Sequence, residues 1–295
     1  MTYDIQAAIA AAAAVEKDMN EVQKGGGDYK PPAAGGCIVT LVGYVELGIQ
    51  HVPASKHDPI KFPAKDEDQV DLIFEISGKG HEAKEIDGKF YPERMTVNLK
   101  KSLNEKAWFY RIFKMFTAAY PELGATHMAQ FLGKHFLSKI EHSVPKKEGD
   151  RVYASLKQKA AGYVFSAPQF TNPATDETTV IPAPKLYSSF RCFLWAVPSQ
   201  EMWDSLFIEG MYDAKVDEKT KKEIYPAKSK NVIQNKIKAA KNFQGSPIFD
   251  ILGDSVLDLP DTDAAALEGI TADDLPDNAP ANDQAAVDEA LAGIL

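Results

Sequence analysis

The chain has 295 residues, 44% of them hydrophobic, with 42 Asp and Glu against 33 Lys and Arg for a net charge of -9. That composition is ordinary for a folded globular chain, and no run approaches the ~18–20 apolar residues that span a bilayer, so no membrane partner is expected. The acidity is unevenly placed. Residues 254–295 hold eleven Asp and Glu and no Lys, Arg or aromatic residue, which leaves the preceding chain with 31 acids against 33 bases, about +2. A weakly basic body with an acidic arm suits an anionic partner for the body. The arm can compete for that surface or dock on a basic partner of its own.

In chain order, residues 4–23 are Ala-rich and predict a helix, broken by Gly25-Gly26-Gly27. The stretch lacks the basic leader segment of a signal peptide. Three parts follow: an N-terminal arm and Gly linker at 1–28, a folded domain at 29–253, and a disordered acidic tail at 254–295. The arm is free to pack on a second copy, so a homo-oligomer is one arrangement open to the chain. Alternating patterns predict strands over 37–50, 69–77 and 91–100. On the first, Val39, Leu41, Val45 and Leu47 share one face, and Thr40, Val42, Tyr44 and Glu46 the other. Ser102-Leu103-Asn104-Glu105 has capping-box spacing for a helix to about 119, with Trp108, Phe109, Ile112, Phe113 and Phe116 on a wide apolar stripe. A short helix spans 126–132. Further strands are predicted over 135–142, 151–158, 162–167 and 187–197. Ser199, Ser229 and Ser246-Pro247 open three more helices, with a Lys-rich insertion at 212–230.

About seven strands without a strand–helix alternation exclude a doubly wound sheet. The expected class is mainly β with helices (α+β), a partly open antiparallel barrel of the oligonucleotide-binding (OB) type with helical decoration. The helix after the third strand occupies the place a helix takes between the third and fourth strands of such barrels.

Catalytic chemistry finds little support. There is no dinucleotide fingerprint, phosphate loop, Gly-x-Ser-x-Gly elbow or paired-Cys zinc spacing. Gly78-Lys79-Gly80-His81 reads as a hairpin turn. His135 and His142, seven apart on one strand, face opposite sides, which argues against a metal triad with His127. Cys37 and Cys192 sit in apolar strand patterns and read as reduced, buried thiols. The expectation is a non-enzyme with no cofactor and no metal.

Basic and aromatic residues interleave between 134 and 191. Single-stranded nucleic acid needs cations along its phosphates and flat side chains on which bases stack. The expected contacts are Lys134, Lys139, Arg151, Tyr153, Lys157, Lys159, Tyr163, Tyr187 and Arg191, with Arg151, Tyr153 and Lys157 on one face of a strand. In the tail, Asp288, Glu289, Leu291, Ile294 and Leu295 combine charge with an apolar end that suits a pocket on a partner protein.

Three stretches carry a resemblance: Tyr29-Lys-Pro31-Pro32-Ala-Ala-Gly35 with Leu41-Val-Gly43-Tyr44-Val-Glu46-Leu-Gly48; Trp195-Ala-Val-Pro198 through Met202-Trp203-Asp204; and Ser229-Lys-Asn231-Val-Ile-Gln234-Asn235 through Asn242-Phe243-Gln-Gly245-Ser246-Pro247. They resemble proteins of tailed bacteriophages, some described as single-stranded DNA-binding proteins with an OB barrel. The resemblance implies sequence-tolerant binding of single-stranded DNA in replication or recombination, in the cytoplasm of an infected bacterial host, with replication or recombination proteins recruited by the tail. Acidic tails of replication single-strand binders end in an aromatic residue, whereas this one ends Ile294-Leu295. The competing reading is a non-catalytic protein–protein interaction or assembly factor of a phage, which would not respond to DNA.

Overall fold

The structure is a computed structural model and describes residues 30–56, 58–145, 151–212, 214–216, 223–225 and 227–253. The chain divides into two units, Met1–Pro31 and Pro32–Leu295, and every described element belongs to the second. The predicted N-terminal helix and the acidic tail lie outside the described residues.

The elements run β1 (Gly35–Val52), β2 (Lys65–Ser77), the hairpin β3 (Lys84–Ile86) and β4 (Lys89–Tyr91), β5 (Glu93–Lys100) and α1 (Trp108–Ala119). After two single-turn 3-10 helices, Pro121–Leu123 and Met128–Phe131, come β6 (His135–His142), β7 (Ala154–Ser155), β8 (Lys157–Gln158), β9 (Gly162–Tyr163), β10 (Gln169–Thr171), β11 (Thr178–Val180) and β12 (Arg191–Phe193). Then follow α2 (Gln200–Ser205), the short ribbon strands β13 (Met211–Tyr212), β14 (Lys215–Val216), β15 (Glu223–Tyr225) and β16 (Lys228–Ser229), α3 (Val232–Lys238) and α4 (Pro247–Leu252).

The main sheet has the order β5-β2-β1-β6-β7, antiparallel throughout, and β12 joins β1 in parallel at Gly43–Val45. It curls strongly into a half-barrel, and α1 falls between its third and fourth strands. The expected class, mainly β with helices around an OB-like half-barrel, is the one observed.

β1 is buried on both sides, and its register against β2 shifts between Leu41 and Gly43, and again between Glu46 and Gly48. A one-residue shift reverses which face each later side chain takes. Cys37, Val39 and Leu41 enter a first core; past the bulge Tyr44 takes their side, while Val42, Val45 and Leu47 enter a second core. The strict alternation expected from the sequence, with Val45 and Leu47 beside Val39 and Leu41, is thus corrected. At the bulge a Cβ on Gly43 would lie 2.8 Å from Ile73, so only glycine fits there without displacing β2.

The first core packs Phe109, Ile112 and Phe116 of α1 and Phe131 against Leu72, Phe74, Phe136 and Phe165. Phe116 is its centre, stacked on Phe136 at 4.0 Å and edge-on to Phe74, Phe131 and Phe165. The second core sets Trp203, Leu206, Ile233, Ile237 and Ile248 against Val45, Leu47, Ile73 and Phe193.

Two predicted helix starts move. Ser102 Oγ accepts the Asn104 N–H and Asn104 Oδ1 the Lys106 N–H, local turns that use up both side chains, so α1 begins only after Ala107. Ser229 Oγ likewise accepts the Asn231 N–H, and α3 starts behind Asn231 and ends at Lys238, short of Gly245. Ser199 and Ser246 do cap α2 and α4, accepting the N–H of Met202 at 3.2 Å and of Phe249 at 3.3 Å. Among the described residues no helix is long and apolar enough to cross a membrane.

Candidate nucleic-acid interface

The nine expected contacts fall into two places. Lys134, Lys139, Arg151, Tyr153, Lys157, Lys159 and Tyr163 lie along β6 to β9. Lys139 stands on β6 opposite Gly36. The Lys134 ammonium sits 5.2 Å from the centre of the Tyr120 ring. Arg151 and Tyr153 are exposed ahead of β7, and the Lys159 amide donates to the Glu141 carboxylate at 2.8 Å. The expected strand over 151–158 is broken at Leu156: β7 pairs with β6 and β8 with β9, which leaves them as two-residue pieces. The shared Arg151–Tyr153–Lys157 face therefore does not form as one strand.

Tyr163 is a packing residue of this region. Its ring lies edge-on to Trp108 at 5.3 Å and parallel to Phe165 at 6.4 Å. Burial pushes its hydroxyl up to about 12. Trp108 covers Gly162, whose φ is +74° and where any Cβ would collide with the indole. The Arg111 guanidinium lies over the Trp108 ring at 4.2 Å.

The second place gathers Tyr187 and Arg191 with residues outside the 134–191 window. The Tyr187 ring stacks on Phe90 of β4 with centroids 4.8 Å apart and planes 28° apart. Lys185 Nζ sits 4.9 Å from the Tyr187 ring centre and 5.7 Å from that of Phe90. Phe90 is 42% exposed and Tyr187 37%, so each ring keeps accessible surface despite the stack. Arg191, half-buried on β12, has its pKa lowered by burial and by the positive charge of Arg94 on β5. Among the described residues neither arginine, nor Lys185, forms an ion pair with a carboxylate. Two stacked, partly exposed aromatic rings under a lysine ammonium can hold a flat, negatively charged ligand. Phe90 and Arg94 were missed because they precede the basic-aromatic window. The signal available was Lys89-Phe90-Tyr91 directly after the Asp87-Gly88 turn, an exposed aromatic hairpin.

The other polar clusters are satisfied internally. Buried Glu46 accepts from the Tyr44 hydroxyl at 2.8 Å, the Trp195 N–H at 2.8 Å and Lys101 Nζ at 2.7 Å. The three histidines go to separate partners. His127 Nδ1 accepts the Ala129 N–H, His135 Nε2 meets the Ile181 carbonyl at 3.0 Å, and His142 Nε2 meets the Pro32 carbonyl at 2.7 Å. Among the described residues no three His, Cys, Asp or Glu side chains gather as a metal site. Both thiols are free. Burial raises Cys37 to about 12, and burial with the Glu46 charge raises Cys192. The expected tail contacts, Asp288, Glu289, Leu291, Ile294 and Leu295, lie outside the described residues. In comparisons with protein-family models, curated proteins and solved structures, nothing matches this chain.

Proposed function

We propose that this protein is a non-enzymatic, sequence-tolerant binder of single-stranded DNA, acting in the replication or recombination of a bacteriophage. The observation that carries the reading is the exposed Phe90–Tyr187 stack under Lys185, with Arg191 three residues past the Tyr187–Ser188 segment and close enough to Arg94 for its pKa to be lowered. A base stacks on the aromatic pair irrespective of its identity, and the phosphates on either side meet the cations. The basic residues along β6 to β9, Lys134, Lys139, Arg151, Lys157 and Lys159, extend the path for the backbone, with Tyr153 as a second exposed ring. The acidic segment 254–295 competes with DNA for this surface and recruits replication or recombination proteins when displaced.

The test is titration of the full-length protein into fluorescently labelled oligo-dT, followed by anisotropy at several salt concentrations. Binding is expected, with log K falling linearly in log salt. Tyr187→Ala and Phe90→Ala should each cost about 1–3 kcal/mol of binding free energy, the range for one base stacked on one aromatic residue. Arg191→Ala should flatten the salt dependence by about one counterion. No binding at ~50 mM salt, where phosphate contacts are strongest, would reject the reading in favour of a protein–protein assembly role.

A further inference from the structure

Glu75 lies near the C-terminal end of β2, two residues before Ser77, and is 1% exposed. A buried carboxylate is costly unless its oxygens are paired or hydrogen-bonded. Glu75 forms no ion pair among the described residues. Its two oxygens instead accept two consecutive main-chain amides more than a hundred residues away. The Tyr187 N–H donates to Oε1 at 3.0 Å and the Ser188 N–H to Oε2 at 2.7 Å. Thr40 stands directly across from Glu75 on β1, yet the buried Thr40 Oγ1 and Ser188 Oγ have no partner among the described residues. The carboxylate is therefore committed to the backbone at 187–188 and not to the hydroxyls beside it.

Two adjacent amides on one carboxylate fix both the place and the tilt of the chain that bears the Tyr187 ring. That fixation matters because nothing regular holds the segment otherwise. Residues 181–190 form no strand, and the hairpin that supplies Phe90 pairs only with itself. Arg94 stands opposite Glu75 in the β2–β5 register, and Arg191 follows the clamped segment by three residues. The backbone that carries the Tyr187 ring is thus set from one point in the sheet.

We propose that Glu75 is the positioning residue of the nucleobase platform, a carboxylate clamp that holds Tyr187 in stacking distance of Phe90. The proposal rests on the DNA-binding reading above. Glu75→Gln keeps the side-chain shape but turns one acceptor into a donor that faces an N–H. In the full-length protein it should weaken oligo-dT binding about tenfold, the scale of one lost hydrogen bond to a charged group. The salt slope should not change, because no phosphate contact is removed. In a Tyr187→Ala background the same substitution should cause no further loss of binding, whereas a merely structural role would lower affinity in both backgrounds alike.

Unchanged affinity of Glu75→Gln, with Tyr187→Ala and Phe90→Ala still weakened, overturns the clamp and leaves the DNA-binding reading standing. Equal losses in both backgrounds also overturn it. Absence of oligo-dT binding by the unaltered protein removes the underlying reading, and the clamp's role in binding with it. If Glu75→Gln fails to fold, amide hydrogen exchange in the unaltered protein decides. Tyr187 and Ser188 should be protected well beyond the exposed turn at 172–176, and exchange as fast as that turn overturns the proposal.

Discussion

Glu46 shows how the sequence misleads at the scale of one residue. On an alternating strand it belongs to a wet face, but the bulge before Tyr44 turns both residues inward, to 0% exposure for Tyr44 and 3% for Glu46. Burial alone would raise the Glu46 pKa. The Lys101 ammonium, the Trp195 N–H and the Tyr44 hydroxyl together outweigh burial and hold it below its ordinary 4.5. A carboxylate depressed in the folded state adds stability above its unfolded pKa, and that contribution disappears as pH falls through the lower folded value. Glu46→Gln should therefore flatten the acid limb of a plot of thermal midpoint against pH below about 4.5, with less change above pH 7 in slope than in level. Lys101→Met leaves the buried charge short of one donor and should cost about 1.5 kcal/mol, the low end for a charged hydrogen bond because the ammonium is partly solvated. Denaturant titration reads it directly. Tyr163 misleads the other way: its place among basic residues suggested stacking, and only the turn at Gly162 reveals that Trp108 claims it.

At the scale of elements, what was legible depended on how many local partners a polar side chain had. Ser199 and Ser246 accept the amide three residues on, and both became caps. Ser102 and Ser229 each have a nearer amide two residues on, which took their hydroxyls first. Ser246→Ala should cost about 1 kcal/mol of folding stability, the usual value of an N-cap, whereas Ser102→Ala should lie within about 0.5 kcal/mol of the parent. Paired denaturation curves separate the two. β5 was readable from its alternation, and β2 from Val70, Leu72, Phe74 and Ile76 at every second position. The pieces after residue 150 were not, since the chain changes partner at Leu156: β7 pairs with β6, whereas β8 pairs with β9. The candidate platform was half legible for the same kind of reason. Tyr187 and Arg191 lie in a basic-aromatic window, while Phe90 and Arg94 arrive from a hairpin and an edge strand that only the fold brings near. Gly162→Ala must displace Trp108 as well as adopt a left-handed backbone, and should destabilise by about 2 kcal/mol or more.

For the whole molecule, charge is the property that the sequence states most openly and the fold refines. The net of -9 comes from 254–295, and the preceding chain is close to neutral. Within that near-neutral body Lys185 lies over the Tyr187 ring and Arg94 lies close enough to Arg191 to lower its pKa, and neither arginine nor Lys185 is ion-paired among the described residues. Deleting 254–295 after Gly253 should tighten oligo-dT binding most at low salt, where the acidic segment competes best, and the two proteins should converge as salt rises. Equal affinity at all salt concentrations would remove the competition.

The two-sided burial of β1 has a consequence for how the protein comes apart. The second core cannot be stripped off while the first stays intact, because Val45 and Leu47 of one sit on the same strand as Val39, Leu41 and Tyr44 of the other. Melting should therefore be all-or-none across both cores. Trp108 packs against the first core, and Trp195 and Trp203 belong to the second. In a variant that keeps only Trp108, and in one that keeps only Trp203, the fluorescence midpoint should coincide with that variant's own far-UV circular-dichroism midpoint. By the same logic, losing a single residue at the bulge would exchange the partners of everything after it, and a one-residue deletion at Val42 should be worse tolerated than truncation of the much larger Val42 side chain to Ala.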